Sequence, residues 1–195
     1  MSTIGVLVFD GAEELDVAGP WEVLTASAAL LERAGVPPDQ VLLVAQGLEP
    51  VRCRKGMRLL PDVTFADHPP LDVVVVPGGE GTLLASADRT LLDWLAGVGA
   101  GASWVASVCT GALLLHASGL AAGKRLATHW AFEDRLAELG VEVVRDARWV
   151  ADGNVVSSQG VSAGIDMAFG VVARFCGRDV AVETARYIEY PFWNG

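Results

Sequence analysis

The apolar positions fall into two kinds of stretch. Thr3–Phe9 (TIGVLVF), Val41–Ala45 (VLLVA), Asp72–Val76 (DVVVV) and Trp104–Val108 (WVASV) are short, β-branched and almost unbroken. Asp10-Gly11 ends the first of these runs and Pro77-Gly78-Gly79 the third, both strong turn signals. Between them the spacing changes to that of helices. Glu14–Ala34 carries Leu15, Val23, Leu24, Leu30 and Leu31 on one side, with Pro20 expected in or near its first turn, or bending it. Further helices are predicted over Thr90–Ala96, around Leu113–Leu115, over Phe132–Leu139, Ser162–Phe175 and Val180–Ile188. Val51–Phe65 has the shorter alternation of a hairpin or an excursion, and Asp67-His68-Pro69-Pro70 closes it as a loop. Val141–Val144 reads as a strand, and Trp149–Ser157 as a hairpin turning at Asp152-Gly153.

Strands that lack in-out alternation are buried on both faces. Their regular exchange with helices predicts a doubly wound α/β fold, with a mainly parallel sheet and helices on both sides. No repeat, linker or shift of composition divides the chain, so residues 1–195 are expected to form a single domain. With 52% hydrophobic residues the chain has material for a full core and is poorly suited to disorder.

Charge narrows the partners. Fourteen Lys and Arg against twenty-four Asp and Glu leave a net −10, an average field that repels nucleic acid. No apolar run reaches the roughly 18 residues of a membrane span, and the Met1-Ser2-Thr3-Ile4 start does not resemble a signal peptide. Cys53, Cys109 and Cys176 cannot all pair within one chain and lack zinc-finger spacing. The expectation is a reduced, cytoplasmic protein with free thiols, no metal and no membrane or nucleic-acid partner.

Open α/β sheets bind ligands beyond the carboxyl ends of their strands. Four segments qualify: Gly11–Asp16, Pro77–Glu80, Ser107–Gly111 and Ser158–Ser162. The third is the most informative, because Val108-Cys109-Thr110-Gly111-Ala112 puts a cysteine on a strand-to-helix corner. There the helix start is expected to lower the thiol pKa and expose the sulfur as a nucleophile, against the plainer reading of a small buried hydrophobe. Cys53 and Cys176 have no such setting and read as structural. Gly78 and Gly79 have no side chains, so their amides suit an oxyanion hole, although a plain tight turn explains them equally well. Asp16 sits early in a helix, as a dipole partner or as the acid facing a cysteine; Glu13 and Glu14 read most simply as a solvated helix start. His129 follows a segment expected to return to the sheet edge, and either orients a nucleophile or is structural. His68 reads as an exposed loop residue and His116 as a packed or partly exposed helix residue.

Taken together, these residues resemble the DJ-1/PfpI superfamily. The resemblance is carried by Gly11-Ala12-Glu13-Glu14-Leu15-Asp16, Gly19-Pro20-Trp21-Glu22-Val23, Val76-Pro77-Gly78-Gly79, Val108-Cys109-Thr110-Gly111-Ala112, Ala127-Thr128-His129-Trp130-Ala131 and Val161-Ser162-Ala163-Gly164-Ile165-Asp166. It implies a flavodoxin-like fold, a reactive Cys109, an acid at Asp16 hydrogen-bonded to the sulfur, and a homodimer. Proteases and glyoxalase-like members place His after the cysteine, where this chain has Thr110. The late His-x-Glu of glutamine amidotransferases is absent. The combination is most similar to isocyanide hydratases and to the amidotransferase-like domain of AraC-type regulators. It implies a small electrophilic substrate, an isocyanide, hydrated to an N-substituted formamide through a thioimidate on Cys109. Asp16 would be the proton donor, Thr110, Gly78 and Gly79 the positioning groups, and no cofactor would be needed. The alternatives are a glyoxalase- or deglycase-like enzyme acting on aldehydes and a non-enzymatic redox or ligand sensor.

Overall fold

In the computed structural model, which describes residues 2–191, the first apolar run forms β1 (Thr3–Leu7) and the helix after it is α1 (Glu14–Arg33). The chain then lays down β2 (Gln40–Ala45), a hairpin of β3 (Val51–Arg52) and β4 (Arg58–Leu59), and the two-residue β5 (Val63–Thr64). The all-valine β6 (Val73–Val76) leads through one turn, α2 (Thr82–Ala85), to α3 (Arg89–Gly101). β7 (Trp104–Val108) runs directly into α4 (Gly111–Ala117). The rest comprises β8 (Arg125–Leu126), a 3-10 turn at Trp130–Phe132, α5 (Glu133–Glu138) and β9 (Glu142–Val143). A hairpin of β10 (Trp149–Asp152) and β11 (Val155–Ser158) then precedes α6 (Ala163–Phe175) and α7 (Arg178–Tyr187).

Seven strands form the main sheet in the order β10-β11-β7-β6-β1-β2-β5. All neighbours pair in parallel except β10, which runs against β11. Every residue of β6 and β11 is buried, as are all but the first of β1 and β7. That explains why these strands are nearly continuous apolar runs: both faces are covered. Helices α1, α6 and α7 pack on one another, and α4 packs with α2 and α3. From β1 the chain proceeds outward through β2, whereas from β6 it proceeds the other way through β7. The order therefore reverses between β1 and β6, where an open α/β sheet forms its ligand crevice.

Several boundaries differ from the sequence expectation. β1 ends two residues early, although the Val8 N–H still donates to the Val44 carbonyl at 2.9 Å. Pro20 is the seventh residue of α1, past the first turn, and the helix continues beyond it. Its missing N–H leaves only one rung of the ladder unmade. The one-turn α2 gives no periodic signal because Leu83 and Leu84 both face solvent. The segment before His129 does not join the main sheet: β8 pairs with β9 in a separate two-stranded ribbon. It is tied to β11 instead by a side chain, the Ala127 N–H donating to Ser157 Oγ at 2.9 Å.

Candidate active site

The loops after β1, β6, β7 and β11 converge, and two of the three non-glycine residues with left-handed backbone among the described residues lie there, the third being Glu189. Cys109 has φ 57° and Val161 φ 51°, both in the left-handed region without being glycine. Such a conformation costs roughly 1–2 kcal/mol per residue, so the surroundings must impose it. They do: the Cys109 N–H donates to the Gln159 carbonyl (3.3 Å), and its own carbonyl accepts from Thr128 Oγ1 (2.7 Å). The corner turns the thiol toward the Thr110 and Val161 amides and the Thr110 hydroxyl.

Asp16 lies in the first turn of α1 but points inward and is wholly buried. Its Oδ2 accepts the Gly78 N–H at 2.9 Å, while among the described residues Oδ1 has no aligned donor. The Cys109 thiol interacts with the same carboxyl. Burial pushes the Asp16 carboxyl up to about 7, against the Gly78 hydrogen bond that favours its charge. Burial first, and the Asp16 charge second, push the Cys109 thiol up to about 12. This corrects the expectation that the helix start holds the sulfur ionised. The amides of Thr110 and Val161 do favour the thiolate, but burial outweighs them. Near neutrality, then, a neutral thiol sits beside a carboxyl poised to take up or release a proton. The pair can exchange that proton as a bond to sulfur forms.

The two glycines also differ from expectation. Gly78 donates its N–H to Asp16, and Gly79 donates to Thr110 Oγ1 at 2.9 Å. Neither amide is open to receive charge on an adduct; they position the acid and the threonine. Thr110 Oγ1 is in turn 2.9 Å from Thr82 Oγ1, so a short hydroxyl chain links α2 to the corner. A Cβ on Gly78 would lie 2.5 Å from both Thr110 N and Thr110 Oγ1. The missing side chain is what lets the β6 and β7 loops interlock.

Cys109 is only 6% exposed, so it does not project into solvent as its corner position suggested. It lies instead in the wall of a cavity of about 110 Å³ that also includes Glu13, Arg54, Thr110, His129, Phe132 and Val161. His129 and Cys109 thus share one cavity. His129 Nδ1 accepts the Ala131 N–H at 3.2 Å, which leaves the proton of the neutral ring on Nε2. Its ring rests against Gly160, where a Cβ would come within 2.2 Å of Cδ2. The wall also contains residues with no functional signal in the sequence: Val161, Arg54, Glu80 and Phe132, whose placement depends on loops remote in the chain, and Glu13, which had read as solvated. Glu13 is 4% exposed and pairs with Lys55 and Arg54 from the β3–β4 hairpin.

The other candidates are accounted for locally. His68 is half-buried rather than exposed, its Nε2 accepting from Trp94 Nε1 at 2.9 Å. His116 is half-buried in α4. All three cysteines are free thiols, with Cys53 buried and Cys176 half-buried at the end of α6. Among the described residues no group of His, Cys, Asp and Glu has the arrangement of a metal centre. No helix of these residues is long and apolar enough to cross a membrane.

A parallel sheet reversing beside a strained cysteine corner, with helices on both faces, defines a flavodoxin-like α/β protein. The chain belongs to the DJ-1/PfpI family, which matches residues 2–174. It is 42% identical over 196 residues to the isonitrile hydratase of Pseudomonas putida, covering 98% of this chain and 82% of that one. It is 28% identical over 173 residues to the glutathione-independent glyoxalase DJR-1.2 of Caenorhabditis elegans, covering 88% and 87%. Among solved structures, a ThiJ/PfpI family protein from Pseudomonas syringae superposes with a TM-score of 0.88 at 33% identity. That superposition covers 99% of this chain and 78% of the other.

Proposed function

We propose that this protein hydrates an isonitrile to the corresponding N-substituted formamide. One observation carries the reading: the Cys109 thiol, in the wall of a small cavity, interacts with the Asp16 carboxyl, which is wholly buried. The likeness to an isonitrile hydratase supports it. An isonitrile carbon accepts both a nucleophile and a proton, and this pair offers both. As sulfur attacks the terminal carbon of R–N≡C, the thiol proton passes to the Asp16 carboxylate and from there to that carbon. A C–S and a C–H bond form, giving the thioimidate R–N=CH–S–Cys109. Water then adds across the C=N bond, the C–S bond breaks, the sulfur regains a proton and R–NH–CHO leaves. These steps balance without a metal or organic cofactor. Thr110 and the Gly78 and Gly79 amides act by fixing the geometry of the pair. His129, which lines the same cavity, would meet the added water or the substituent R. A homodimer and a cytoplasmic setting belong to the same reading, checked by light scattering and fractionation.

The test is direct. Purified protein incubated with alkyl isonitriles should release the formamide, measured by mass spectrometry, with the intermediate mass trapped on the Cys109 peptide. No formamide across a panel of isonitriles overturns the reading. Lactate formed from methylglyoxal under the same conditions would favour the aldehyde activity of the glyoxalase-like relative instead.

A further inference from the structure

The cavity at Cys109 is small for what borders it. At about 110 Å³ it falls well below the roughly 300–1,000 Å³ of ordinary small-molecule sites. Its rim contains one long, movable side chain held by charge. The Arg54 guanidinium lies between two carboxylates, 3.8 Å from Glu13 Oε2 and in closer ion pairing with Glu80. All three residues line the cavity. They differ in freedom. The Glu13 side chain is 6% exposed and is also held by Lys55, whereas Arg54 is 44% and Glu80 69% exposed.

The backbone under Arg54 is not free to move. Its N–H donates to the Ala12 carbonyl at 2.9 Å, and the Gly11 N–H donates to the Arg52 carbonyl at 2.8 Å. The Arg52 N–H donates to Asp10 Oδ1 and the Lys55 N–H to Glu14 Oε1, at 2.8 and 2.6 Å. The hairpin is thus fastened to the β1–α1 loop on both sides of residue 54. What can change is the Arg54 side chain, and its partner across the rim is a solvated glutamate. Solvated ion pairs are weak and are screened by salt, so this bridge can open without disturbing the fold.

We propose that Arg54 is the specificity-determining residue of the cavity, its guanidinium bridging Glu13 and Glu80 so as to restrict entry to small substituents. Bulkier groups reach Cys109 only when the Glu80 half of the bridge releases. For the substrate class this rests on the isonitrile reading, and it selects isonitriles with short, compact R groups. The gate itself does not depend on that reading, because it governs any reagent that reaches the sulfur.

The experiment compares wild type with Arg54→Ala and Glu80→Gln. Two ratios are measured: kcat/KM for cyclohexyl against methyl isonitrile, and alkylation of Cys109 by N-benzyliodoacetamide against iodoacetamide, followed by peptide mapping. Relief of a steric limit of this kind is worth roughly 10–200-fold in discrimination, so both ratios should rise about tenfold in Arg54→Ala and less in Glu80→Gln. Raising salt should shift the wild-type ratios the same way. Glu80→Gln leaves every backbone anchor of the hairpin in place, which keeps the test valid if Arg54→Ala fails to fold. Unchanged ratios in a folded variant overturn the gate. A raised alkylation ratio with no isonitrile turnover by any form keeps the gate and removes the hydratase reading.

Discussion

Two clefts open at the carboxyl ends of the strands, on either side of the segment Gly79–Gly81, and they make an instructive pair. The larger, about 340 Å³, is bordered by Phe9, Asp10, Glu49, Phe65 and Leu84. The smaller is a third of that volume and holds Cys109. Volume and position at the strand ends would favour the larger. Yet two of its three acids are engaged in ordinary structure: Asp88 caps α3 through the Thr90 and Leu91 amides, and Asp10 accepts the Arg52 N–H. The smaller has a nucleophilic atom, a buried carboxyl beside it and two residues with left-handed backbone. The smaller cleft is therefore the candidate site, marked by convergence of loops and by strain more than by room.

The comparison can be broken most severely by exchanging which cleft is damaged. Cys109→Ala should lower formamide release by about three or more orders of magnitude, as expected for loss of a covalent nucleophile. Leu84→Ala, in the larger cleft, should leave the rate within about twofold, and the opposite ranking would assign the chemistry to the wrong cleft.

Asp16→Asn comes next, and it separates activity from stability. Loss of a general acid–base group predicts a fall of about 10²–10⁴-fold in rate. Stability should move the other way. Burial raises the Asp16 carboxyl above its unfolded value, so the folded state holds the proton over a range where the unfolded chain has released it. Stability then falls as pH rises from about 4 to about 7, and the full penalty is present above that. A rise from 3.8 to about 7 corresponds to a ceiling of about 4 kcal/mol. The Asn variant should melt higher than wild type at pH 8, and the two should converge near pH 4. A variant that melts lower at pH 8 would show that the charge is stabilised in place.

Smaller effects sharpen the contrast. Phe65→Ala removes a ring stacked on Trp94 at 4.3 Å, and should cost about 2 kcal/mol by thermal melting with no change in rate. Thr82→Val breaks the hydroxyl contact to Thr110 and should cost about 1 kcal/mol. Its rate should also fall several-fold, because Thr110 loses a tether. Equal activity loss in Phe65→Ala and Thr82→Val would erase the distinction between the clefts.

The sheet was legible because its strands are buried on both faces, and an unbroken run such as Val73–Val76 has no other economical reading. Cys109 was legible because a corner between a strand and a helix imposes a narrow choice of residues. The strain at Cys109 was not, since it is held by hydrogen bonds to Gln159 and Thr128 across loops remote in sequence. Nor was the state of the sulfur: local position suggested an ionised thiol, and only three-dimensional burial reverses that. Glu13 and Glu14 look alike in the chain, yet the hairpin covers Glu13 and pairs it with Lys55 and Arg54. Gly78 and Gly79 were expected to face an adduct, yet their amides serve Asp16 and Thr110, because an amide reveals its partner only when the partner's loop is in view.

Residues 159–161 close the corner around Cys109, supplying the Gln159 carbonyl and the Val161 amide. They emerge from the ribosome long after the cysteine does, and contacts between segments so far apart are late events in folding. A nascent chain ending before β11 thus carries Cys109 without the segment that closes its corner. Burial of the sulfur, and with it the upward push on the thiol, can be complete only once synthesis has passed these residues.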